Sequence, residues 1–208
     1  MSPPAVRTPG YPNWMRWVSV FWFLFWFTSY WRTWGFANFA HFCDVAVILT
    51  CIGMWSNSAL LISSQAVNAL IVDIAWALDA GSMLLSQHPL FGGNEFLLDA
   101  HYPLWARALA IFHLVIPVLL LWGLYCLGYD RRGWALQCAI AVPVFILARF
   151  TPPARNTDYA FTDPFFHRQW GPAPLHVLVS WLFMVIVVYW PTHAALKRLF
   201  PPPQARHS

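Results

Sequence analysis

The 208-residue chain is 59% hydrophobic and only 10% charged, with a mean hydropathy of +0.52, which excludes an ordinary soluble domain and predicts an integral membrane protein. Twelve Lys and Arg against eight acids give a pI near 9.1, but the basic residues are scattered singly, so no nucleic-acid partner is expected. Cys43, Cys51, Cys126 and Cys138 lie in or beside apolar runs, which argues against an extracellular disulfide framework.

A helix needs about 20 apolar residues to cross a bilayer. On that measure the expectation is all-α, a polytopic membrane helix bundle with about six spans, near 14–33, 38–56, 66–86, 103–127, 134–150 and 174–195. The first run is crowded with Trp and Phe and lacks a small-residue cleavage site, so it reads as a retained span. Residues 57–65 are uncharged, and 57–86 is too short for two spans, so it reads as one span with a short entrance. Residues 1–208 form a single transmembrane domain, with Pro-rich disordered tails expected at 1–12 and 201–208. Arg7, Arg16, Arg131, Arg132, Lys197, Arg198 and Arg206 fall on one side of these spans, and Arg32, Arg149, Arg155 and Arg168 on the other. The positive-inside rule then puts both termini in the cytoplasm of a multi-pass cell-membrane protein whose partners are membrane lipids. Most tryptophans, Trp14, Trp31, Trp105 and Trp170 among them, sit near span ends, as interfacial anchors do.

Ionisable residues inside spans are costly and mark functional sites by default. His41, Cys43 and Asp44 open the second span. By span assignment, His41 and Asp44 lie roughly 5 and 9 Å below the outer surface, Asp79 roughly 10 Å, and Arg107 and His113 roughly 6 and 15 Å. His176 starts the last span, so four spans bring polar groups to one slab. His41 and Asp44 share a helix face, whereas Cys43 lies about 160° from His41 and about 100° from Asp44. Either His41 with Asp44, or Asp44 with Cys43, therefore faces inward. Asn68, Val72, Ala75 and Asp79 form one stripe. Asp73 lies off it, near mid-bilayer, and needs a partner or a proton. Arg107 reads as an interfacial residue or a structural partner of Asp79 or Asp44. His113, deep and followed by Pro117, is a candidate for catalysis or ligation.

His41-Phe42-Cys43-Asp44 resembles the His-x-Cys-Asn/Asp at a span start in the YwaF-like family of small integral membrane proteins, relatives of which include a eukaryotic transmembrane phospholipid acyltransferase. Phe112-His113 in a later span, and the run from Asn156 through Tyr159, Phe161 and Pro164 to Gly171-Pro172 before the last helix, are similar too. The resemblance covers most of 38–195. It implies acyl transfer carried by a cysteine and a histidine, here Cys43 and His113. This chain departs from the family in separating Asn156 from Tyr159 and in having shorter termini than the eukaryotic proteins.

The leading expectation is an intramembrane lipid acyltransferase or hydrolase without a cofactor, its site open to the outer leaflet. Cys43 attacks the acyl carbonyl, His113 moves the proton, and Asp44 or Asp79 orients the imidazole. His41 lines the same pocket, and Asn156 or Arg107 stabilises the oxyanion or holds a phosphate. A zinc alternative takes His41, Asp44, Asp79 and His113 as ligands. A haem alternative takes His41 and His113 axially, although their depths differ by about 10 Å. Retinal is poorer, since the only lysine, Lys197, sits at a span edge. The remaining class is a proton-coupled carrier or structural protein built on Asp73, Asp79 and His113.

Overall fold

The computed structural model describes residues 10–203. Six long helices run in chain order: α1 (Asn13–Trp34), α2 (Phe42–Ser56), α3 (Ala59–Ser86), α4 (Leu104–Leu127), α5 (Arg132–Ala148) and α6 (Ala173–Leu199). There is no strand among the described residues. Three of the helices, α3, α4 and α6, are long and apolar enough to cross a membrane, so the chain is a membrane-embedded helical protein. The shorter α2 and α5 are apolar too.

Local sequence explains the boundaries. Asn57 ends α2 in the left-handed region, φ 47°, and Ser58 starts α3 by accepting the Leu61 N–H on its hydroxyl at 3.3 Å. The 57–65 entrance is therefore almost wholly helical, and α3 reaches 28 residues, ~42 Å at 1.5 Å per residue. This long helix is the centre of the bundle and packs chiefly on α2, α4 and α5. Gly133 permits the α5 contact, because a Cβ there would stand 2.8 Å from the Ser64 backbone nitrogen.

The segments at both ends of the described residues are packed. Tyr11 is buried, donates its N–H to the Asn57 side-chain oxygen at 2.9 Å and its hydroxyl to Leu119 O at 2.7 Å. Pro201 O accepts the Tyr129 N–H at 2.8 Å. Residues 10–12 and 201–203 thus belong to the body rather than to tails. Residues 1–9 and 204–208, with Arg7 and Arg206, lie outside the described part.

Three helices depart from regular α geometry. α1 is followed by Gly35 and a 3-10 turn, Phe36–Ala40, before α2 starts. α4 contains a 3-10 turn at Leu109–Ile111, and α6 a π segment at Met184–Tyr189. The Cys51 thiol donates to Ser19 O at 3.5 Å and fixes the register of α1 against α2. From that level α1 climbs to Trp34 but α2 only to Phe42, ending ~9 Å lower at helical rise. α2 is consequently a short apolar helix, 15 residues or ~22 Å. The irregular segment 35–41, half-buried to exposed, fills the space above it.

Candidate functional site

Asp158 makes the depression above α2 possible. It lies in the α5–α6 loop, and both its carboxylate oxygens accept the Phe42 N–H, at 3.0 and 3.3 Å. This is a helix N-terminus satisfied by a side chain 116 residues distant in sequence. The loop that delivers it is bent unusually: Asn156, Asp158 and Tyr159 all have positive φ, 43°, 50° and 56°, a concentration of strained backbone typical of functional segments. Burial pushes the Asp158 carboxyl up to about 8, with the Phe42 N–H opposing the shift.

Just below, Asp44 is buried and accepts the Asn38 amide at 2.8 Å. The Cys43 thiol lies 4.0 Å from the other Asp44 oxygen. Of the two expected arrangements, Asp44 with Cys43 is the pair that makes contact. Asp73 stands at the same level, because Cys43 and Asp73 are each about 15 residues from the α2–α3 turn, and the thiol lies within electrostatic reach of Asp44, Asp158 and Asp73. Asp73 is 2% exposed, and neither of its oxygens has a hydrogen-bond partner among the described residues. Carboxyls of α2, α3 and the α5–α6 loop thus all act electrostatically on one thiol.

His113 occupies the α3–α4 side. Its ring is stacked between Trp76 and Phe112, with both centroids 4.0 Å away, and Nδ1 bonds Ala110 O at 2.9 Å. That carbonyl belongs to the 3-10 turn of α4. The bond makes Nδ1 the protonated nitrogen and leaves Nε2 its lone pair. His41 repeats the arrangement, Nδ1 to Asn38 O at 2.8 Å, and the two imidazoles interact electrostatically. Neither is hydrogen-bonded to Cys43, so a cysteine–histidine dyad is not assembled.

The remaining expected residues have other duties. Asp79 does not join the centre: it accepts the Leu90 and Phe91 N–H groups and the Asn94 amide, each at 2.6 Å, and latches the α3–α4 loop. Arg107 pairs with neither Asp79 nor Asp44 but donates to Leu97 O at 2.8 Å. The Asn156 amide donates to Thr162 O and Oγ1 and accepts Phe161 and Thr162 N–H, which leaves no donor for an oxyanion. His176 accepts the Trp170 N–H on Nδ1 and donates from Nε2 to Tyr159 O, holding the strained loop. Among the described residues no three His, Cys, Asp or Glu side chains are grouped to hold a metal ion.

A second polar feature lies deeper. Asn68 donates to Phe42 O at 3.4 Å and accepts the Tyr189 hydroxyl at 3.2 Å; Gln137 donates to that hydroxyl at 3.3 Å and accepts Gln65 at 3.3 Å. Gln65 also donates to Ser64 at 3.0 Å. This ladder ties α2, α3, α5 and α6 through the buried interior. Gln65, Gln137, Tyr189, Asn38 and Trp76 carry no motif; the one signal available was a lone amide, Gln137, inside an apolar run.

No family model, no curated protein and no solved structure matches the chain.

Proposed function

We propose that the protein is a six-span protein of the cell membrane, termini in the cytoplasm, and that its acidic centre binds a proton as part of a proton-coupled carrier. The observation that carries this reading is the contrast between Asp73 and every other buried carboxyl. Asp44, Asp79 and Asp158 are each held by hydrogen bonds to the fold, whereas Asp73 stands in the bundle with two oxygens unpartnered among the described residues. An unpaired carboxylate at that depth is too costly to persist, so Asp73 holds a proton until a water, cation or substrate reaches it. Asp44, Cys43 and the two imidazoles supply neighbouring groups for onward transfer. The test is proton uptake into vesicles reconstituted with the purified protein under an imposed gradient. Uptake is expected to vanish with Asp73→Asn and to persist with Cys43→Ser; uptake unaffected by Asp73→Asn overturns the reading.

Lipid acyl transfer is the second reading. Cys43 in the first turn of α2 favours it, since a helix N-terminus stabilises thiolate, and so does the unengaged Nε2 of His113, together with the YwaF-like resemblance. Here the thiolate takes the acyl group from a phospholipid ester, and the released lysolipid alkoxide receives the proton from an imidazole. The three carboxyls that act on the thiol and the absent dyad oppose it. An alkali-labile radioactive acyl label on the wild type, lost in Cys43→Ser, would establish this route in place of the carrier; an unlabelled protein removes it.

A further inference from the structure

Between the level of the acidic centre and the end of the bundle that carries Arg131 and Lys197, α3, α4 and α6 leave an apolar groove of about 460 Å³. Leu70 and Ile71 form one wall, Leu121 the second, and Ala195, Leu196 and Phe200 the third. Its volume falls in the range of about 300 to 1,000 Å³ usual for ligand clefts. The groove is open to the side, as a cleft between membrane helices must be for a chain to enter from the bilayer.

Charge distinguishes this groove from an ordinary helix crevice. Pro191, Ala195 and Arg198 follow at i+4 and i+3 on α6, so Arg198 stands on the groove face one turn nearer the helix end. Arg198 is exposed, and neither it nor the neighbouring Lys197 has an ion-pair or hydrogen-bond partner among the described residues. Lys197 and Arg131 both lie within electrostatic reach of His193, which packs on Trp134 of α5, so they add positive charge to this end of the bundle and not to the groove wall. Arg132, by contrast, is already neutralised by Asp130 at 2.7 Å.

We infer that the groove is a binding site for an anionic glycerophospholipid of the leaflet on this side: one acyl chain lies along Leu70, Leu121 and Leu196, and the phosphate meets Arg198, which supplies the preference for net negative headgroups, with Lys197 and Arg131 adding to the positive charge of that end of the bundle. Basic residues beside an interhelical cleft recognise headgroups in this way, each worth several-fold in affinity. The inference rests on the membrane reading and not on proton binding, so either can fail alone.

The experiment is thermal unfolding of the full-length, delipidated protein in detergent, titrated with phosphatidylglycerol, with phosphatidylcholine of the same chains, or with glycerol phosphate as a chainless headgroup. The wild type is expected to be stabilised at lower concentrations of phosphatidylglycerol than of phosphatidylcholine, and not by glycerol phosphate. Arg198→Gln should raise the half-saturating phosphatidylglycerol concentration about fivefold, the worth of one basic residue beside an anionic headgroup, and narrow the gap between the two lipids. Ala195→Trp fills the groove from α6 and Leu121→Trp from α4. Whichever retains the wild-type lipid-free melting temperature should lose the lipid-dependent rise, and if neither does, loss of the headgroup preference in Arg198→Gln decides the matter. Equal stabilisation of the wild type by both lipids means annular lipid only and overturns the site. So does a full response in a folded groove-filling variant or an unchanged preference in Arg198→Gln.

Discussion

Asp79 and Asp73 occupy the same helix six residues apart, and hydrogen bonding separates them. Asp79 has three donors, so truncating it orphans two backbone N–H groups and an amide, each costing about 1 to 3 kcal/mol where it stays buried. Asp79→Ala should therefore lower the melting temperature and make 87–103 the first site of limited proteolysis, while leaving proton uptake intact. Loss of uptake without loss of stability would instead bring Asp79 into the centre. Asp158 gives a pH prediction. Its carboxyl rises from 3.8 unfolded to about 8 folded, so between those values the folded chain holds a proton that the unfolded chain lacks. The stability from this group is fully present below about 3.8 and is lost as pH rises through about 8. Melting temperatures from pH 5 to 9 should accordingly fall with rising pH and flatten in Asp158→Asn; an identical slope in the variant would show that the group does not titrate there.

The breaks in α4 and α6 have local uses. The 3-10 turn of α4 turns Ala110 O toward His113 Nδ1, and the π segment of α6 ends at Tyr189, whose hydroxyl is the middle rung of the polar ladder. π segments shift the helical phase by inserting a residue into the turn and recur at functional positions. Tyr189→Phe keeps the ring and removes two hydrogen bonds, so a loss of about 1 to 2 kcal/mol in stability is expected, read by thermal unfolding with uptake unchanged. The six helices were legible in the sequence, because apolar runs near the bilayer thickness are a local signal. The partners were not: nothing near Asp158 signals that it closes α2, and helical phase placed Asp79 in the centre because a stripe fixes the side of a helix, not which loop folds back upon it. Asp73 was set off the polar stripe, yet tertiary packing brought it beside Cys43.

At the scale of the molecule, the two ends of the bundle differ in charge and in architecture. One end carries Arg16, whose guanidinium donates to Trp55 O, together with Arg131, Arg132, Lys197 and Arg198. The other has the long loops, where Arg155 donates to Trp34 O and Arg149 to Ala160 O. Arg32 and Arg168, which stacks on Trp170 at 3.7 Å, belong to this second end too, but its loops also hold Glu95, Asp99 and Asp163, so net positive charge concentrates at the first end. Cytoplasmic loops carry such an excess, and the proposed orientation therefore turns the acidic centre toward the outside. A chain with its four native cysteines replaced by serine, carrying either Phe166→Cys or Arg131→Cys, tests this in intact cells with a membrane-impermeant thiol reagent. Phe166, 67% exposed, is expected to label at once, and residue 131 only after the membrane is opened. The reverse pattern would invert the molecule and put the acidic centre on the cytoplasmic side, and labelling of both positions in intact cells would break the six-span arrangement, since α5 alone separates residue 131 from the loop that holds Phe166.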